Sequence, residues 1–162
     1  AALDTFMHAV VMTHLSDNRA SLPKALKRLE ITVGELVQLA ENTVAAQQAG
    51  QNSRPWVQVK NALHRKLLTV TFQSYEDVGN AMAMAGVKKG WSKVAQQLGC
   101  QAEDIKSRLG GIVHRRNQIA HEGDLRRLVR PRNIQRNPVN HNDVSADIDW
   151  LEQLIAAIDT VV

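Results

Sequence analysis

The chain carries one cysteine, and that scarcity is the first constraint. Cys100 has no second thiol for an internal disulfide and no companion for a zinc site, so a reducing compartment is expected. Aromatic residues are equally sparse, at 4%. Sandwiches and barrels draw on aromatic and β-branched side chains for their strands, so the shortage argues against both. No apolar run nears the roughly 18 residues needed to span a bilayer. The N-terminus lacks the basic start of a signal peptide, and the chain opens on Ala-Ala rather than Met, which fits a piece of a longer protein. These absences predict a cytoplasmic protein with no membrane partner.

What is present points to helices. The 162 residues suit one domain with a real core. Apolar residues make up 44%, with Ala, Leu, Val and Gln plentiful. Leu3, Phe6, Met7, Val10, Val11 and Leu15 repeat at helical steps. Ser21 with Pro23 predicts a helix start, and Thr32 with Glu35 has the spacing of a capping box opening a helix to about residue 48. Residues 22–48 also fit one long helix with a weak point at Gly34. Residues 49–55 read as a linker, 56–71 as a helix, and Ser74 as the cap of a short helix ending near Gly86. A further short helix covers 91–99. The strongest begins near Gln101, with Ile105, Leu109, Ile112, Val113, Arg116, Ile119 and Ala120 on its stripe, and Gly123 stopping it. Residues 124–142 read as a flexible basic loop, and Val144, Ile148, Leu151, Leu154, Ile155, Ile158 and Val162 as the stripe of a terminal helix. The expected fold is all-α: a single domain over 1–162, an antiparallel helical bundle of four to five main helices with short additional ones.

Charge is unevenly spread. Residues 106–136 hold nine basic residues against Glu122 and Asp124, a net +7, which leaves 11 basic against 14 acidic residues elsewhere. Such a local field attracts polyanions, RNA among them, although a solvated loop accounts for it equally well.

Within that segment stands Arg116-Asn117-Gln-Ile-Ala-His121. Imidazole exchanges protons near neutral pH, and guanidinium holds a phosphate through paired hydrogen bonds and stabilises growing charge on its oxygens. Asn117 can orient either group. Those types suit phosphodiester cleavage of RNA with the ribose 2′-hydroxyl as nucleophile, a reaction that requires no metal and no cofactor. No metal-ligand motif stands in the sequence. Five residues separate Arg116 from His121, about 140° around an ideal helix. They converge only if the helix ends or bends near Ala120, or if a second copy completes the site across a symmetric dimer.

The motif resembles the signature of HEPN domains: an Arg, a polar residue after it, and a His four to six residues beyond the Arg. The extended "RRNQIAHEGD" is most similar to the RiboL-PSP-type branch. The likeness is specific over residues 101–124 and architectural elsewhere. It implies a homodimeric, metal-independent endoribonuclease of phage defence or toxin–antitoxin systems, leaving 2′,3′-cyclic phosphate and 5′-hydroxyl ends. It implies catalytic roles for Arg116 and His121 and a supporting role for Asn117. RNA would be guided by Arg115, Arg126, Arg127, Arg130 and Arg132, and an antitoxin or fused regulatory domain would be a partner. Some HEPN domains are instead non-catalytic interaction modules.

A competing pattern lies just upstream. Ala95, Gly99 and Ile105 have helix-turn-helix spacing, which would make 101–108 a DNA-recognition helix. Glu103 and Asp104 at its start repel phosphates. Trp56, Trp91 and Trp150 read as core or interface anchors, Met82 and Met84 as gap-filling core, while His8, His14, His64 and His141 match no motif.

Overall fold

The computed structural model describes residues 2–17, 22–50, 55–122 and 138–162. Every regular element among them is helical: α1 (Ala2–Asp17), α2 (Val33–Gln48), α3 (Pro55–Leu67), α4 (Tyr75–Met84), α5 (Gly90–Leu98), α6 (Ala102–Glu122) and α7 (His141–Val161), with a 3-10 turn at Leu26–Arg28. The all-α expectation holds. No described helix is long and apolar enough to cross a membrane.

The chain forms two compact units, Ala1–Phe72 with Asn80–Lys88, and Gln73–Gly79 with Lys89–Val162. In the first, Leu3, Met7, Val11 and Leu15 recur every fourth residue and make a buried stripe on α1. Leu26, Ala62, Leu63, Leu67, Phe72, Ala81 and Met82 are buried with them, and α1 and α2 each pack on α3.

Two sequence expectations are corrected here. Residues ahead of α2 form only the short 3-10 turn, so neither a full helix after residue 21 nor one helix through 22–48 exists; Ser21 lies outside the described residues. The cause is the capping box itself. Thr32 Oγ1 accepts the Glu35 N–H at 3.2 Å and the Glu35 carboxylate accepts the Thr32 N–H at 2.8 Å. That exchange fixes Thr32 in an extended conformation, φ −71° and ψ 153°, through which no helix continues. The same bonds hold the Glu35 carboxyl below its ordinary value of 4.5.

The second correction is that α3 stops at Leu67, not near residue 71. The chain closes turns there, the Thr69 N–H donating to the Lys66 carbonyl at 3.1 Å and the Val70 N–H to the Leu67 carbonyl at 2.9 Å, and α1 offers partners to the backbone that follows. The Phe72 N–H donates to the Asp4 carboxylate, and the Val70 carbonyl accepts from His8 Nε2 at 3.1 Å. The His8 ring lies 4.7 Å from that of buried Phe72.

In the second unit α5 packs on α6 and α7, and Val78, Val94, Ala95, Ile105, Leu109, Leu154, Ala157 and Ile158 are buried. Ser74 and Asp77 cap α4 reciprocally, the Ser74 Oγ accepting the Asp77 N–H at 3.1 Å and the Asp77 carboxylate accepting the Ser74 N–H at 3.3 Å. Gly99, at φ +65°, turns the chain from α5 toward α6, whose start is fixed by the Gln101 N–H donating to the Asp104 carboxylate at 3.0 Å. Asn140 caps α7 by accepting the Asn142 N–H at 3.0 Å, so helix begins two residues inside the stretch expected to be loop. Gly123 and the basic residues 124–137 of that stretch lie outside the described residues.

The candidate site on helix α6

Helix α6 runs without a break through 21 residues. The bend near Ala120 that could bring Arg116 to His121 is absent, because the helix continues to Glu122. The two side chains therefore stand about 140° apart around one axis. Arg116 continues the line of Ile105, Leu109 and Ile112, at steps of four, three and four residues. Ile105 and Leu109 are buried, Ile112 is half-buried and Arg116 is exposed. The core stripe thus emerges from the core before it reaches the motif.

Arg116 Nη1 donates to Asn117 Oδ1 at 2.9 Å, joining two of the three motif residues on the exposed surface. His121 is exposed and makes no hydrogen bond or ion pair among the described residues. It lies one turn beyond Asn117 on the same face. That face begins much earlier: Lys106, Gly110, His114, Asn117 and His121 follow one another at steps of four, four, three and four.

Along this face lies a cleft of about 360 Å3, lined by Ser74, Tyr75, Glu76, Lys106, Gly110, Val113, His114 and Asn117. The Tyr75 ring is stacked flat on Trp91, with centroids 4.3 Å apart and planes 7° apart. The Trp91 indole N–H donates to the Tyr75 carbonyl at 3.0 Å. This packing depends on Gly79, where an added Cβ would stand 2.9 Å from the indole nitrogen. Lys106 Nζ sits 5.8 Å from the Tyr75 centroid and 4.0 Å from a Glu76 oxygen. Partial burial, with the Glu103 and Glu76 carboxylates nearby, pushes the Tyr75 hydroxyl above its ordinary 10.0, so it keeps its proton.

Sequence reasoning missed this cleft's share of the site. His114 and Lys106 were legible as sharing a helical face with Asn117. Tyr75 and Glu76, some 40 residues upstream, carry no signal that ties them to it.

The other arginines separate. Arg108 points to α7, donating to the Ala146 carbonyl at 3.0 Å, pairing with Asp147 at 3.6 Å and covering the Trp150 ring at 4.8 Å. Arg115 is half-buried and donates to the Pro138 carbonyl at 3.4 Å. Arg126, Arg127, Arg130 and Arg132 lie outside the described residues. No three His, Cys, Asp or Glu side chains cluster among the described residues as a metal ion would need.

No protein-family model matches the chain, and neither a curated protein nor a solved structure does.

Proposed function

We propose that the chain is a metal-independent endoribonuclease whose catalytic groups are Arg116 and His121, with Asn117 positioning them. The observation that carries this reading is the Arg116–Asn117 hydrogen bond on an exposed turn, with His121 one turn beyond Asn117 on the same face. A guanidinium held by a neighbouring carboxamide is preorganised for phosphate. An exposed imidazole is free to move a proton.

In the reaction, the ribose 2′-oxygen attacks the adjacent phosphorus as its proton passes to a base. The P–O5′ bond breaks and the leaving oxygen takes up a proton, giving a 2′,3′-cyclic phosphate and a 5′-hydroxyl. His121 transfers one of those protons, and Arg116 stabilises charge on the non-bridging oxygens. Because both residues ride one straight helix, a single copy does not converge them, and the reading requires the Arg116 of one protomer beside the His121 of its partner. Apolar surface suited to such an approach stands on the last turns of α6 and the first of α7, where Ile119, Val144 and Ile148 are about half exposed.

The test is cleavage of single-stranded RNA with EDTA present, for wild type, Arg116→Ala and His121→Ala, together with sedimentation equilibrium. Cyclic-phosphate products from a dimer, lost in both variants, are expected. A protein that cuts nothing, or stays monomeric, returns the fold to a non-catalytic interaction module.

A second reading has one observation in its favour: α5, a turn at Gly99 and α6 make a helix-turn-helix arrangement. Exposed Glu103 and Asp104 in the first turn of α6 oppose its insertion against phosphates, and 21 residues is longer than such a recognition helix requires.

A further inference from the structure

Resting on the nuclease reading, we propose that the cleft between the start of α4 and helix α6 is a base pocket for guanine, seating the nucleotide next to the scissile phosphate. Its volume of about 360 Å3 falls within the roughly 300–1,000 Å3 of small-ligand sites. Its two ends differ chemically. At one end stand the Glu76 carboxylate and the Lys106 ammonium, 4.0 Å apart, beside the rigid Tyr75 ring. At the other end stand His114 and Asn117, the latter bonded to Arg116.

A phosphate is repelled from the end that carries Glu76, with Glu103 close by, and belongs at the end that carries His114 and Asn117. The base therefore occupies the Tyr75 end. A carboxylate accepts only donors, and guanine alone among the four bases presents two adjacent donors, N1–H and N2–H2, to the two carboxylate oxygens. Its O6 lies next to N1 and faces an ammonium, which Lys106 supplies. Uracil would set carbonyl oxygens against Glu76, while adenine and cytosine offer one amino donor beside a ring-nitrogen acceptor.

Gly110 keeps the wall of the cleft open on the α6 side. It sits at the middle of α6, where glycine weakens a helix relative to alanine. No atom lies within 4 Å of where its Cβ would be, so packing does not demand its absence. Its neighbour Gly111 is equally unobstructed but does not line the cleft.

The experiment is calorimetric titration of the full chain with the 3′-monophosphates of guanosine, adenosine, cytidine and uridine, repeated on Arg116→Ala/His121→Ala. The expected result is a preference for 3′-GMP of about fivefold to tenfold, the low end for a bidentate base contact because Glu76 is solvent-exposed. Glu76→Gln should erase the preference. Gly110→Leu should abolish binding while Gly111→Leu leaves it intact, both keeping their helical circular dichroism. Equal affinity for all four nucleotides, or binding indifferent to Gly110→Leu, overturns the pocket. RNA cleavage without base preference and without 3′-GMP binding removes the pocket and spares the nuclease. Selective 3′-GMP binding by a protein that cuts no RNA does the reverse.

Discussion

The two halves of α6 are opposite in character although they are one helix. Its first two and a half turns, from Ala102, are capped by Asp104 and bury Ile105 and Leu109. The stretch from Val113 to His121 buries nothing fully, and leaves Arg116, Asn117, Ile119, Ala120 and His121 exposed. The first half holds the helix in the fold, and the second leaves its side chains in solvent. On the nuclease reading, core packing and catalytic groups are thereby separated along one element, so substitutions at the buried positions of the first half and at the motif in the second should each leave the other property untouched.

The largest effect expected from breaking that division is on chemistry. His121→Ala should lower RNA cleavage by about a hundredfold or more, with a melting temperature within 2 °C of wild type, roughly what a surface change gives. A parallel fall in melting temperature would mean that the second half is also structural. Leu109→Ala should do the converse, costing about 2–4 kcal/mol in urea unfolding as the residue is fully buried; a cost under about 1 kcal/mol would show that the first half does not anchor the helix. Arg108→Ala, which removes the contacts to Trp150, Asp147 and the Ala146 carbonyl, should cost about 1 kcal/mol, a small value because the side chain is 43% exposed. The smallest effect sharpens the boundary: Gly111→Ala should raise stability by about 0.5–1 kcal/mol without altering cleavage, and differential scanning calorimetry would register it.

Much of this was legible in the sequence, for reasons that differ by element. Local chemistry fixed the caps: Thr32 with Glu35 and Ser74 ahead of α4 both initiate helices where their spacing places them. The buried stripe of α1 follows from four-residue apolar steps, whereas of the stripe expected on α7 only Leu154 and Ile158 are buried and Val144, Ile148 and Val162 are exposed. What escaped was non-local. The end of α3 at Leu67 depends on Asp4 and His8, more than 60 residues away, satisfying backbone groups that a helix would otherwise satisfy itself. His8, which fits no motif, is explained only by that role. At the site, the Arg116–Asn117 contact is a property of adjacent residues and could be anticipated. The cleft could not, because Tyr75 and Glu76 reach it from another helix. The continuity of α6 to Glu122 agrees with the helix read up to Gly123, and the bend that "HEGD" also permits is not taken.

The reciprocal grip of α1 on the stretch after α3 has a kinetic corollary. A backbone segment secured by side chains from another helix has no neighbouring strand to re-form against once those side chains leave. The Phe72 amide proton, held by Asp4, should therefore exchange with solvent deuterium at the rate at which α1 detaches. Exchange measured at Phe72 would then time the opening of the N-terminal helix.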